Sequence, residues 1–196
     1  MKLLVACEQS GVVRNAFLEL GWDAWSCDLE PSDDDSDRHI QGDALEVLDR
    51  GWDLLIGHPP CTSLAVSGRW YWNAYPEATQ EALDFVQALM DAPVRHIAIE
   101  NPVSIISTRI RKPDQIIQPW MFGHDASKKT CLWLKNLPKL EATEVIVKSR
   151  YANQTPSGQN KLGPSKDRAK LRARTYEGVA HAMAEQWSKF CEGDTP

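Results

Sequence analysis

The chain has no apolar stretch approaching the roughly 20 residues that cross a bilayer, and its opening, Met1 to Cys7, is too short for a secretory signal. A cytoplasmic protein without membrane contact is expected. Cys7, Cys27, Cys61, Cys131 and Cys191 form no C-x-x-C pair, and histidines are not clustered, so no zinc site is implied. An odd number of widely spaced cysteines gives no disulfide framework either. The G-x-G-x-x-G fingerprint is absent, which weighs against a nicotinamide cofactor. There is no internal repeat. Phenylalanine is scarce, four residues against eight tryptophans, although tryptophan richness alone identifies no ligand.

Positive charge is thin over most of the chain and then crowded. Residues 1–127 carry 9 basic and 20 acidic side chains, many of the latter in Asp28, Glu30 and the run Asp33-Asp34-Asp35-Ser36-Asp37. Lys128 to Arg174 carries 12 basic and 3 acidic side chains. Such a segment suits a phosphate backbone, and equally a solvated surface. The 196 residues fit one domain, 1–196, with a substantial core.

Short apolar runs alternate with helical patterns. Leu3 to Cys7 precedes Val12 to Leu20; Ala24 to Cys27 follows; Leu54 to Gly57 precedes Glu77 to Met90; then comes His96 to Ile99. This predicts β-α-β-α units with buried parallel strands. Ala78, Ala82, Phe85, Val86, Leu89 and Met90 recur at helical spacing before Ala92-Pro93 stops the helix. Strands are expected at Thr130 to Leu134 and Val145 to Val147, making the sheet mixed. The turn-forming residues of 149–170, among them Asn153, Pro156, Gly158, Gly163 and Pro164, imply a long surface loop. A last helix from about Tyr176 presents Val179, Ala180, Met183, Trp187 and Phe190.

Two strand ends carry the chemistry. Pro59-Pro60-Cys61-Thr62 follows one apolar run, and Glu100-Asn101-Pro102 ends another about 40 residues later. A thiolate adding to ring carbon 6 activates an electron-poor pyrimidine, provided a carboxyl beside ring nitrogen 3 stabilises the adduct. Two prolines hold Cys61 at the crevice instead of in the sheet. A carboxyl at a strand end is costly unless it has a task, and a neutral or shared-proton Glu100 would bond nitrogen 3. Asn101 either caps the next turn or positions the Cys61 loop. His58, His124 and His181 read as local hydrogen-bonding residues, with His58 the best exception.

Ligands of open α/β sheets bind beyond the carboxyl ends of strands, which places Cys7-Glu8-Gln9-Ser10-Gly11 in a crevice. Gly11 admits close backbone approach or simply satisfies a turn. Asp28 and Glu30 follow the second strand, where a carboxylate commonly grips ribose hydroxyls, Asp28 being the stronger choice. Asp43 stands where a helix opens and serves as an N-cap.

With Pro-Cys and Glu-Asn at neighbouring strand ends, the sequence resembles the DNA cytosine-5 methyltransferase family, whose motifs read Pro-Cys and Glu-Asn-Val. The resemblance covers nearly the whole chain. It implies a Rossmann-like S-adenosylmethionine-dependent methyltransferase fold, mostly parallel with helices on both faces, and transfer of a methyl group to carbon 5 of cytosine in DNA. Cys61 and Glu100 are then the catalytic pair. Cys7, Glu8, Ser10, Gly11, Asp28, Glu30, Asp43 and Pro59 surround S-adenosylmethionine, Asp43 at the adenine amino group. Of the family's aromatic-x-Gly-x-Gly motif only Gly11 remains, and Asn101-Pro102 replaces the commoner Asn-Val. Phe122 to Thr130 follows the outline of Tyr-Gly-x-Pro-Gln-x-Arg-x-Arg, with Lys128 and Thr130 at the arginine positions. Thr175 to Ala180 is similar to the final motif.

Family members insert a sizeable target-recognition domain before the last helix, where this chain has about 40 residues. A basic loop at about 149–174 takes its place, able to hold phosphates without reading bases. Asn101, Ser67, Arg69, Lys128, Arg168 and Arg172 are the expected substrate contacts, on duplex or single-stranded DNA, with specificity low or supplied by a partner protein. Trp70, Tyr71 and Trp72 suit base stacking, or a lid or core contact. Two other readings stay open: a lapsed module that only binds cofactor or nucleic acid, and a cysteine-dependent enzyme acting on a pyrimidine nucleotide or RNA. So small an enzyme suits a phage, working in the host cytoplasm.

Overall fold

A computed structural model describes residues 1–163, 165 and 168–194. In chain order, β1 (Lys2–Ala6), α1 (Val12–Glu19), β2 (Asp23–Asp28), β3 (His39–Gln41) and a 3-10 turn at Ala44–Val47 lead to β4 (Leu54–Gly57). Then follow α2 (Arg69–Ala74), α3 (Pro76–Met90), β5 (His96–Pro102), α4 (Ile106–Arg109), β6 (Gln115–Ile117) and β7 (Thr130–Lys135). Finally come α5 (Arg168–Ala173) and α6 (Glu177–Gly193).

The seven strands form one sheet in the order β3-β2-β1-β4-β5-β7-β6. The first five are parallel; β7 runs antiparallel between β5 and β6. Every residue of β4 and all but the first of β1 are buried, the signature of strands covered on both faces. Phe17 of α1 and Trp187 of α6 belong to a core on one face; Leu83, Val86 and Leu89 of α3 belong to the core on the other. The protein is thus a mixed α/β fold with a mostly parallel sheet. Among the described residues no helix is long and apolar enough to cross a membrane.

No strand forms at Val145 to Val147. Both valines are exposed; the isolated bridge is made by the preceding Glu144, to Phe122, and within the segment the Ile146 amide donates to the Trp120 carbonyl (2.8 Å). With Glu144 and Lys148 flanking it, this run has no apolar face to bury. Asp43 opens only the short 3-10 turn, accepting from the Leu45 amide (2.9 Å). From Asn136 to Gly163 the chain is irregular but anchored. Asn153 accepts from the Ser127 amide and donates to its carbonyl, both at 2.9 Å, and Tyr151 stacks on Trp120 at 6.1 Å. Pro164 and Lys166 of the basic loop lie outside the described residues.

Two contacts set the helices on the sheet. The amide of Gly178, in the first turn of α6, donates to His124 Nε2 (2.8 Å), and a Cβ at Gly178 would lie 2.0 Å from the Phe122 carbonyl oxygen. Only glycine fits there. Arg14 of α1 is wholly buried, donating to Ser26 Oγ (2.8 Å) and Asn15 Oδ1 (3.0 Å) and pairing with Asp34. Ser26 Oγ continues to His39 Nδ1 (2.9 Å).

Burial alone would raise the Asp34 carboxyl, but hydrogen bonds from Ser32 and Asn15 and the Arg14 charge hold it below the usual carboxylate range. Its contribution to stability is therefore present above about pH 4, the ordinary aspartate value, and is lost as the pH falls through the lower folded value. Asp34→Ala strands a buried guanidinium and is expected to cost about 3 kcal/mol in urea unfolding, the low end for breaking a buried pair. Arg14→Met leaves only a partly exposed carboxylate unpaired and is expected to cost less; the opposite ranking would contradict this account.

Candidate active site

The order reverses between β1 and β4, so the turns after these strands face a common crevice at the carboxyl edge of the sheet. After β1, Cys7 adopts a left-handed backbone (φ 60°), rare for a non-glycine residue, and Gly11 does so at φ 68°. The Cys7 and Glu8 amides both donate to the Cys27 carbonyl. Glu8 is buried, and its oxygens accept the Val13 and Arg14 amides (2.7 and 3.1 Å), closing the first turn of α1. Burial pushes this carboxyl up, against the opposing pull of His58 and the two amides.

Burial also raises the Cys7 thiol, and the charges of Asp28 and Asp43 raise it further, so these three residues share one neighbourhood. Asp28 Oδ1 accepts the Glu30 amide (3.0 Å), and Glu30 is exposed. Ser10 instead lines a depression of about 360 Å³ with Asn15, Asp34, Arg174, Glu177 and His181.

Beyond β4, Pro59 is buried and Cys61 is exposed. The other four thiols are all raised by burial, Cys27 and Cys191 to about 11. Cys61 is thus the one thiol presented to solvent. The Asn101 side-chain amide donates to the Pro59 carbonyl (2.8 Å), and the Val66 and Ile105 amides donate to the Val103 and Leu64 carbonyls (3.0 and 2.9 Å). The loops after β4 and β5 therefore form one tied unit. Asn101 is buried and acts on the Cys61 loop.

Glu100, near the end of β5, is 9 % exposed. His58 Nδ1 lies 2.9 Å from its Oε2. Burial alone would raise this carboxyl, but the His58 hydrogen bond, the Lys128 charge and the Thr130 hydroxyl together hold it below its ordinary range. Of the neutral or shared-proton carboxyl expected from sequence, the neutral form is not the one these neighbours favour. The narrow cleft beside it, lined by Lys128, Thr130, Pro119 and Tyr176 among others, holds about 10 Å³, room for one water. A pyrimidine enters only if flexible side chains such as Lys128 swing aside.

The remaining expected contacts are spread out. Ser67 and Arg69 are exposed, on a 3-10 turn and at the start of α2. Trp70 is 69 % exposed, Tyr71 touches both Trp70 and Tyr75, and Trp72 packs on the core, so the aromatic cluster divides between rim and interior. Arg168 and Arg172 lie on α5, whose Lys170 bonds Asp33 (2.5 Å). The basic segment is therefore partly neutralised from within, again by Lys148 to Asp125 (2.5 Å). Sequence reasoning missed Arg14, a charge on the buried stripe of α1, and the Glu100–His58–Thr130 arrangement, whose only signal was a histidine beside Pro59.

Fold and site together define an α/β protein with a mostly parallel sheet, an exposed cysteine on the loop after β4 and a buried carboxylate near the end of β5. No family model and no curated protein matches the chain. Among solved structures it is similar to a prophage-encoded protein (E. coli) assigned as a DNA modification methyltransferase, with TM-score 0.45 and 12 % identity, over 68 % of this chain. The chain spans 46 % of that protein's length.

Proposed function

We propose that the protein is an S-adenosylmethionine-dependent methyltransferase acting on carbon 5 of cytosine in DNA. The observation that supports the reading is the tie between the two loops, by which Asn101, next to buried Glu100 on β5, binds the Pro59 carbonyl of the loop that carries exposed Cys61. The cofactor fits the crevice by its donor set: the Asp28 carboxylate suits ribose hydroxyls, Asp43 the adenine amino group, and the left-handed backbone at Cys7 and Gly11 permits close approach. When bound, the cofactor supplies an electrophilic methyl group.

Cys61 adds as thiolate to carbon 6 of the cytosine, leaving carbon 5 nucleophilic. Glu100 engages nitrogen 3, where negative charge develops, with Lys128 and Thr130 fixing its orientation. Asn101, through the Pro59 carbonyl, holds the nucleophile in line, since positioning supplies much of the acceleration in such reactions. Solvent takes the carbon-5 proton and Cys61 leaves. Arg69, Arg168 and Arg172 serve phosphates, and Trp70 offers a stacking face for an unpaired base.

A DNA oligonucleotide carrying 5-fluorocytosine tests this, because fluorine cannot leave carbon 5 as a proton does and the adduct persists. With S-adenosylmethionine present, a denaturation-resistant protein–DNA complex is expected from the native chain and none from Cys61→Ala. No complex, with cofactor binding intact by calorimetry, would point to the lapsed module; a complex with RNA or a free nucleotide alone would move the reaction to that pyrimidine.

A further inference from the structure

His58 stands between two buried carboxylates. Its Nδ1 meets Glu100 Oε2 at 2.9 Å, and it is near enough to Glu8 to favour that group's ionised form against burial. Its side chain is nine-tenths buried, yet Nε2 has no hydrogen-bond partner. For a passive hydrogen-bond donor this is a costly arrangement, because a buried unpaired polar atom forfeits about 1–3 kcal/mol. The charged groups around it are Glu100 on β5, Lys128 ahead of β7, Glu8 after β1 and, behind Glu8, Arg14 on α1.

We propose that His58 is a positioning residue that loads Glu100 with the proton ring nitrogen 3 requires. The proposal rests on the cytosine reaction above, which demands a proton from a carboxyl group that its neighbours keep ionised. From the imidazolium, the Nδ1–H bond breaks as an O–H bond forms on Oε2, leaving neutral imidazole and a neutral carboxyl. Glu100 passes this proton to nitrogen 3 as the Cys61 sulfur bonds carbon 6. When the sulfur departs, nitrogen 3 returns the proton to Glu100 and Glu100 returns it to Nδ1. The pair ends as it began, and only the carbon-5 proton reaches solvent.

Methyl transfer to DNA, followed against pH for the native chain, His58→Asn and His58→Gln, tests the relay. Both variants can donate to Glu100 but neither can release a proton. The native kcat is expected to fall toward alkaline pH, while the variants run at least ten-fold slower with that limb absent and KM little changed. If either variant matches the native kcat and profile, His58 merely supports Glu100 and the relay is overturned alone. If the native chain transfers no methyl group to DNA, the proposed reaction and the relay fall together.

Discussion

Gly178→Ala is expected to destabilise the protein by about 3 kcal/mol, the upper end for overpacking, and to lower its melting temperature by about 6–12 °C, at roughly 2–4 °C per kcal/mol for a chain of this size. In an exposed helix the same change would stabilise by about 1 kcal/mol through helix propensity. Here the new methyl would meet the Phe122 carbonyl at 2.0 Å. A carbonyl cannot swing aside as a side-chain tip can, so α6 or the 122–124 turn must shift. Either movement strains the bond from Gly178 to His124 and loosens Trp187 from its core. A thermal melt by circular dichroism decides the matter, because the two effects differ in sign. A rise in melting temperature would mean that α6 does not seat here.

Glu100→Gln is expected to lower the rate of methyl transfer by about 10²–10⁴, the range for a general acid. The amide keeps the shape and can still accept from His58, but it cannot carry a proton to nitrogen 3. Stability should respond differently. The folded protein binds a proton at Glu100 less tightly than the unfolded chain does, because His58, Lys128 and Thr130 outweigh burial. The carboxylate therefore contributes stability above about pH 4.3, the ordinary glutamate value, and loses it as the pH falls through the lower folded value. Urea unfolding of native and variant chains should differ at pH 7, and the gap should shrink in acid. A rate within three-fold of native would remove Glu100 from the chemistry.

The central fold was legible because its signals are long and repeated. Leu3 to Ala6, Leu54 to Gly57 and His96 to Ile99 are apolar runs whose short length suits doubly covered strands, and the stripe of α3 shows the helical period. β3 and β6 were not read, since three residues at a sheet edge or beside a single partner give too little pattern. Val145 to Val147 misled for the converse reason: β-branched residues favour strands only where a neighbour accepts them. At the site, the positions of Cys61 and Glu100 followed from where their strands end. What Glu100 touches did not, because His58, Lys128 and Thr130 reach it from separate segments. Nor did the sequence show what the acidic run at 33–37 meets, because Asp34 closes on Arg14 and Asp33 on Lys170, and neither partner is near in sequence.

If the basic segment meets nucleic acid as proposed, the bond between Lys170 and Asp33 makes the protein a competitor for that contact. A carboxylate already occupies the ammonium group that a nucleic acid would claim, so binding there must first break an internal ion pair, which added salt weakens as it weakens the contact with phosphate. Affinity then depends on ionic strength less steeply than the count of lysines and arginines implies. Asp33 thus stands where the proposed phosphate would, and an incoming polyanion must displace it before it reaches Lys170.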